Sequence, residues 1–255
     1  MSNLVLITGA TSGFGKACAT KFAAQGYDLI LNGRRKDRLE ELQTSLQNKY
    51  NIAVCTMAFD VQSQAEVFSA INTISGDWQN IDVLINNAGL ALGRDYFEEA
   101  SLDDWNTMLD TNVKGLVYAT KAVLPFMIKR KQGHIINMGS VAGKEVYEKG
   151  NMYCASKFAV DALSQSMRID LLRHNIKVTA IHPGAAETEF SLVRFKGAEQ
   201  TASKVYEGYH PLSADDVASI IYYTASLPLH VCINDLVVTC TQQANTYIFD
   251  KSGDM

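Results

Sequence analysis

The chain has 255 residues, 47% hydrophobic and 20% charged, with a formal net charge of -4. This is the make-up of an ordinary soluble α/β protein, with no basic surface for nucleic acid and no like-charge tail. The five cysteines are odd in number and lack CxxC spacing, which argues against a disulfide framework and for a reducing compartment. No apolar run reaches the ~18 residues of a membrane span, and no leader pattern follows Met1, so a cytoplasmic protein is expected.

In chain order, short apolar runs alternate with helical patterns. Leu4–Ile7 reads as a strand, followed by a helix from Phe14 to Gln25 that Gly26 stops. Asp28–Asn32 is the second strand, and Leu39, Leu42 and Leu46 stripe a helix over Arg38–Asn48. Ala53–Phe59 is the third strand, and Ser63 sits where the N-cap of the next helix belongs. Ile81–Ile85 is an unbroken apolar run, as expected of a strand covered on both faces. One long helix is predicted from Leu102 to about Lys129, then a strand at His134–Met138 and a helix over Tyr153–Arg173. A strand at Lys177–Ile181, a capping box at Ser213–Asp216, a helix over Val217–Ser226 and a strand at Leu236–Thr239 complete the series. The pattern predicts one α/β domain over residues 1–255, a Rossmann-type doubly wound, seven-stranded parallel sheet. Residues 185–211 form the single long insertion, of the kind that covers a site, and Lys251–Met255 reads as loose.

Three stretches carry chemistry. Strand one ends in Thr8-Gly9-Ala10-Thr11-Ser12-Gly13-Phe14-Gly15 and enters a helix, whose N-terminus offers free amides and a positive dipole end to a phosphate. The spacing is neither G-x-G-x-x-G nor a P-loop. Strand two ends in Asn32-Gly33-Arg34-Arg35, where a cofactor with a free ribose hydroxyl would call for an acid. Two guanidiniums favour a 2′-phosphate and therefore NADP over NAD. Asp60-Val61, ending strand three, could accept from an adenine amino group or simply cap the next turn. Finally, Gly139–Lys157 delivers Ser140 from a strand end, while Tyr153 and Lys157, four apart on a helix, share a face. A hydroxyl, a phenol and a cation converging on one spot suit proton transfer at an oxygen. The five histidines show no metal spacing, so no metal is expected, and Cys154 has no evident activating base.

These residues resemble the classical short-chain dehydrogenase/reductases over essentially the whole chain. The matching pieces are Thr8-Gly9-x-x-x-Gly13-x-Gly15, Asn86-Asn87-Ala88-Gly89, Asn112, Ser140, Tyr153-x-x-x-Lys157 and Pro183-Gly184. Asn86–Gly93, Glu187–Gly197 and Pro211–Val217 look like the NADP-dependent 3-hydroxy acid (serine, allo-threonine) dehydrogenases, which also reduce malonic semialdehyde.

The resemblance implies a Ser140, Tyr153, Lys157 and Asn112 catalytic set, with Tyr153 as the acid–base and Ser140 holding the substrate oxygen. Lys157 would lower the phenol pKa and grip the cofactor ribose, and Asn112 would bend its helix and carry a water. It gives Gly9, Ala10, Thr11, Ser12, Gly13, Phe14, Arg34, Arg35, Asp60, Val61 and Asn87 to the cofactor. Pro183, Gly184, Ala185, Ala186, Glu187, Thr188, Glu189 and Phe190 go to its nicotinamide side. Ala185-Ala186 departs from the larger aliphatics usual there, leaving that wall less bulky. Lys144 and Arg194 are the basic residues of the two substrate loops that could meet a carboxylate. A homodimer or homotetramer, joined through the long helices, is implied as well. The expected substrate is a small 3-hydroxy or 3-oxo acid such as serine, allo-threonine, 3-hydroxyisobutyrate or malonic semialdehyde. A broad carbonyl reductase and a silent NADP sensor are the alternatives, and the intact catalytic set speaks against the sensor.

Overall fold

The computed structural model describes residues 3–253. Seven strands lie in one wholly parallel sheet: β1 (Leu4–Ile7), β2 (Asp28–Gly33), β3 (Val54–Ala58), β4 (Ile81–Asn86), β5 (Gly133–Met138), β6 (Ile176–Pro183) and β7 (Asp235–Val238). Their order is β3-β2-β1-β4-β5-β6-β7. The chain therefore winds outward from β1 in one direction and from β4 in the other. The gap between the carboxyl ends of β1 and β4 is the switch point where such sheets bind ligands.

The alternation of side chains along a strand builds the two faces. On β1, Val5 and Ile7 join one core with Leu29, Leu31 and Ile85; Leu4 and Leu6 join the other with Ile30 and Leu84. Helices α1 (Gly13–Ala24), α2 (Lys36–Tyr50) and α9 (Ala214–Ser226) cover the first face through Phe22, Leu39, Leu42, Val217 and Ile221. Helices α3 (Gln64–Asn72), α5 (Leu116–Arg130) and α6 (Asn151–Leu171) cover the second through Val67, Ile71, Val123, Met127 and Leu171. The cap signals read from sequence act as expected. Ser63 accepts from the Glu66 amide, and Ser213 and Asp216 form a reciprocal capping box.

Two expectations need correction. The long helix after Leu102 is not continuous: α4 (Leu102–Leu109) passes into a π-turn over Asp110–Gly115 before α5. Asn112 lies inside that turn and is turned toward Leu90 rather than to solvent. Its side-chain bonds to another loop replace the regular ladder, a usual cause of such a bulge. The tail is also less loose than its polarity suggests. The Gly253 amide donates to the Gly208 carbonyl at 3.1 Å, and Lys251 Nζ sits 5.6 Å over the Tyr209 ring. Asp254 and Met255 lie outside the described residues. The insertion contains two short helices, α7 (Phe190–Arg194) and α8 (Glu199–Ser203).

Candidate active site

Polar side chains fix the strand ends that make the site. Asn87 donates to the Thr8 and Gly9 carbonyls at 2.9 and 3.1 Å, while the Thr8 hydroxyl accepts from the Asn87 and Ala88 amides. This clasp ties the end of β4 to the glycine turn. Gly9 adopts φ +66, and a Cβ on Gly15 would stand 2.2 Å from the Gly9 carbonyl oxygen, so small residues are a steric requirement there. Asn86 donates to Thr120 and to Asn137, and Asn137 to Ser164, a buried amide relay joining β4, β5, α5 and α6. A buried polar group must be paired to be tolerated, so this relay fixes the register of those elements.

Two cavities open at the carboxyl edge of the sheet. The first, about 410 Å³, runs from the glycine turn past Arg34, Arg35, Asp60, Val61 and Asn87 to Tyr153 and Lys157. Ser12 caps α1 without a side-chain hydrogen bond, so the first amides of that helix stay available. Arg35 donates to the Thr11 hydroxyl at 3.0 Å, and Arg34 lies 3.7 Å from Asp60. Free helix amides beside two exposed arginines form a donor set suited to a phosphorylated dinucleotide. Gly9, Thr11, Ser12, Gly13, Phe14, Thr188, Glu189 and Phe190 line this cavity as expected. Pro183, Gly184, Ala185 and Ala186 line the second cavity instead, and two of the expected residues line neither. The Ala10 side chain is wholly buried in the core, leaving only its backbone near the turn, and Glu187 is drawn away by the bond from its amide to the Leu212 carbonyl.

The second cavity, about 590 Å³, is lined by Ser140, Tyr153, Pro183, Gly184, Ala185, Ala186 and Arg194. The sequence reading missed Arg94, Tyr147, Tyr206, Gln243 and the C-terminal Tyr247, Phe249 and Lys251, which line it as well. Gln243 fixes the loop after β6 by accepting from the Ala185 amide at 2.8 Å. Tyr153 borders both cavities, with its ring 5.7 Å from that of Phe190.

The catalytic candidates are brought together. Tyr153, Ser140 and Lys157 are all buried, and Lys157 Nζ donates to the Met138 carbonyl at 2.8 Å. Asn112 holds the Leu90 backbone through a donated and an accepted bond of 2.8 Å each, and donates to Ser156. It lines neither cavity and acts on the neighbouring loop.

The electrostatics also differ from expectation. Burial pushes the Tyr153 phenol above its ordinary value, outweighing the Ser140 hydroxyl and Arg194 charge that oppose it. Lys157 Nζ lies 5.9 Å from the ring centroid and is bonded to the Met138 carbonyl. Burial lowers Lys157 itself to about 8.

Of the two proposed carboxylate partners, only one faces the cavity. Lys144 is held by Asp235 at 2.6 Å and Asp161 at 3.1 Å and lines neither cavity, so it is corrected to an internal ion pair. Two carboxylates already satisfy its ammonium. Arg194 lies over the Tyr147 and Tyr153 rings at 5.6 and 5.7 Å, with Nε donating to the Gly93 carbonyl. Its buried Nη2 lacks a well-formed hydrogen bond among the described residues, while the guanidinium also acts on the neighbouring Tyr147 phenol, opposing the rise that burial causes there.

Comparison with known proteins agrees with this geometry. The short chain dehydrogenase family model matches residues 3–197. The NADP-dependent 3-hydroxy acid dehydrogenase YdfG of Escherichia coli (strain K12) is 46% identical over 234 residues, covering 91% of this chain and 93% of its own. Sulfoacetaldehyde reductase 2 of Chromohalobacter salexigens is 46% identical over 245 residues, 96% of each chain. The closed form of serine dehydrogenase complexed with NADP+ superposes with a TM-score of 0.91 at 43% identity, covering 96% of this chain and 98% of that one. With its switch-point crevice and clustered Ser140, Tyr153 and Lys157, the chain belongs to the short chain dehydrogenase family and is an oxidoreductase acting on hydroxyl groups.

Proposed function

We propose that the enzyme interconverts a small 3-hydroxy acid and its 3-oxo acid, using NADP(H). The observation that carries the acid specificity is Arg194: a guanidinium with a buried nitrogen that lacks a well-formed hydrogen bond, set over the Tyr153 ring inside the substrate cavity. A buried donor without a well-formed bond is costly, and a substrate carboxylate would satisfy it in forked geometry. When bound, the cofactor supplies or accepts a hydride at its nicotinamide ring. The chain's own residues do the rest. Ser140 holds the substrate oxygen, Tyr153 gives it a proton in reduction or takes one in oxidation, and Arg194 fixes the acid end.

Replacing Arg194 with Met should raise KM for serine, 3-hydroxyisobutyrate or malonic semialdehyde at least about 30-fold, the equivalent of 2 kcal/mol for a truncated charge pair. A neutral ketone or secondary alcohol should be nearly unaffected. An equal change for acid and neutral substrates would refute the acid reading and favour a broad carbonyl reductase. Sulfoacetaldehyde belongs in the same panel, because a sulfonate offers the same guanidinium an anion of similar charge.

Arg34 and Arg35 would meet the 2′-phosphate. Changing both to Ser should weaken NADP about 10²-fold, by loss of charge-assisted hydrogen bonds, while NAD kinetics stay level. A matching loss for both cofactors would remove the arginines from phosphate recognition. Assembly into dimers or tetramers through α5 and α6 is part of the same proposal and is measurable by sedimentation.

A further inference from the structure

Outside both cavities, four charged or titratable side chains from four elements converge: Lys144 from the turn after β5, Asp161 from α6, His182 from the end of β6 and Asp235 from the start of β7. His182 is wholly buried. Its Nδ1 lies 3.2 Å from the Ser140 backbone carbonyl, which can only accept, so Nδ1 carries a hydrogen, and in the neutral ring Nε2 then presents a lone pair. That lone pair faces Asp235 Oδ1 at 3.5 Å and Asp161 Oδ1 at 3.8 Å. All three atoms are acceptors. His182 Nε2 and Asp161 Oδ1 are both buried and lack a well-formed hydrogen bond among the described residues, although the Lys144 and Gln165 side chains both act on the Asp161 carboxylate. Acceptors buried face to face need a positive centre between them.

The other oxygen, Oδ2, of each carboxylate is already used: Lys144 binds Asp235 Oδ2 at 2.6 Å and Asp161 Oδ2 at 3.1 Å. The ammonium leaves the two carboxylates with one net negative charge. The geometry suits an ion. The three ligand atoms lie within 4.8 Å of one another. Ligands bound at about 2.1 Å to a tetrahedral ion stand about 3.4 Å apart, close to the two separations seen here. The surroundings fit as well. Metal-bound imidazoles commonly donate their other N–H to a backbone carbonyl, and ligating carboxylates are themselves hydrogen-bonded. The Ser140 carbonyl and Lys144 fill these two roles.

We propose that Asp161, His182 and Asp235 form a binding site for a divalent transition ion of the zinc class. One imidazole and two carboxylates favour such an ion over calcium or magnesium, which take all-oxygen sets. Asp235, about one-third exposed, gives a route in from solvent. A bound ion would clamp the edge strand β7 and the helix carrying Tyr153 and Lys157 to the backbone of Ser140. The site is independent of the substrate assignment, and its test does not use turnover.

Metal-stripped protein without an affinity tag is titrated with Co²⁺ by visible absorption and then with Zn²⁺ in competition. The expected result is one equivalent of Co²⁺ with the intense bands of a low-symmetry site, displaced by Zn²⁺, and a higher melting temperature with Zn²⁺. Asp235→Asn, at a partly exposed position, should weaken binding at least about 100-fold, since even outer-shell losses reach that size. His182→Gln should do the same, and if it fails to fold, the Asp235→Asn titration decides. Absence of saturable binding up to about 1 mM, or undiminished binding by Asp235→Asn, overturns the proposal.

Discussion

Replacing Tyr153 with Phe lowers kcat by about 10²–10⁴-fold and leaves NADP affinity close to wild type. The size follows from the loss of a positioned acid–base group, and the selectivity from the surroundings. Tyr153 borders both cavities, yet its ring is held by packing against Phe190 and the Arg194 guanidinium, contacts that Phe preserves. The missing hydroxyl is the only chemical change. A phenol is protonated at neutral pH even at its ordinary pKa of about 10, and burial raises it further, which favours the form needed to give a proton in reduction. The comparison is made by steady-state rates in both directions and by cofactor titration. Residual turnover within tenfold of wild type would remove Tyr153 from the chemistry.

Lys157→Met separates stability from activity, raising the first and removing the second. The wild-type ammonium is buried and, among the described residues, makes one hydrogen bond, to the Met138 carbonyl. Its pKa falls from 10.5 to about 8 through desolvation. The sign follows from proton counting. Below pH 8 both folded and unfolded chains hold the proton, and the whole burial penalty is present. Between about pH 8 and 10.5 the folded chain releases it while the unfolded chain keeps it, so wild-type stability climbs with pH. Met fills similar volume without charge. The cofactor-free variant should therefore be more stable at pH 7 by about 1–3 kcal/mol, with the lead shrinking toward pH 10. Urea unfolding at both pH values reads this directly, and a variant less stable than wild type at pH 7 contradicts it. The buried charge is a stability cost borne for function.

The sheet was legible because both its faces are covered: runs such as Ile81–Ile85 have no polar alternation to confuse with a surface strand. Ser63 and Ser213 announced their helices by local hydrogen bonding, which needs no tertiary context. The core of the site was legible for the same reason, since Tyr153 and Lys157 share one helix and Ser140 ends a strand. Lys144 shows where such reading stops. Four residues beyond Ser140 it looks like part of the substrate loop, but its partner Asp235 lies 91 positions away and draws it off. The rise of the Tyr153 pKa in the cofactor-free chain was not legible, because attraction to Lys157 can be inferred from spacing, whereas burial cannot. Arg94, Tyr147 and Gln243 gave no signal, because irregular segments carry no period. The same holds for Asp161, His182 and Asp235, which share no sequence spacing.

The second cavity takes much of its wall from beyond Ala198: Tyr206, Tyr209, Gln243, Tyr247, Phe249 and Lys251. The portion that matches the family model ends at residue 197. The wall facing the substrate is thus assembled from both lengths of the polypeptide, with Arg94, Tyr147 and Arg194 from the first and the aromatic residues beyond Ala198 from the second. Changes confined to the exposed aromatic side chains of that wall would reshape the room for a substrate, whereas α9, β7 and Gln243 from the same stretch also hold the core and the loop after β6.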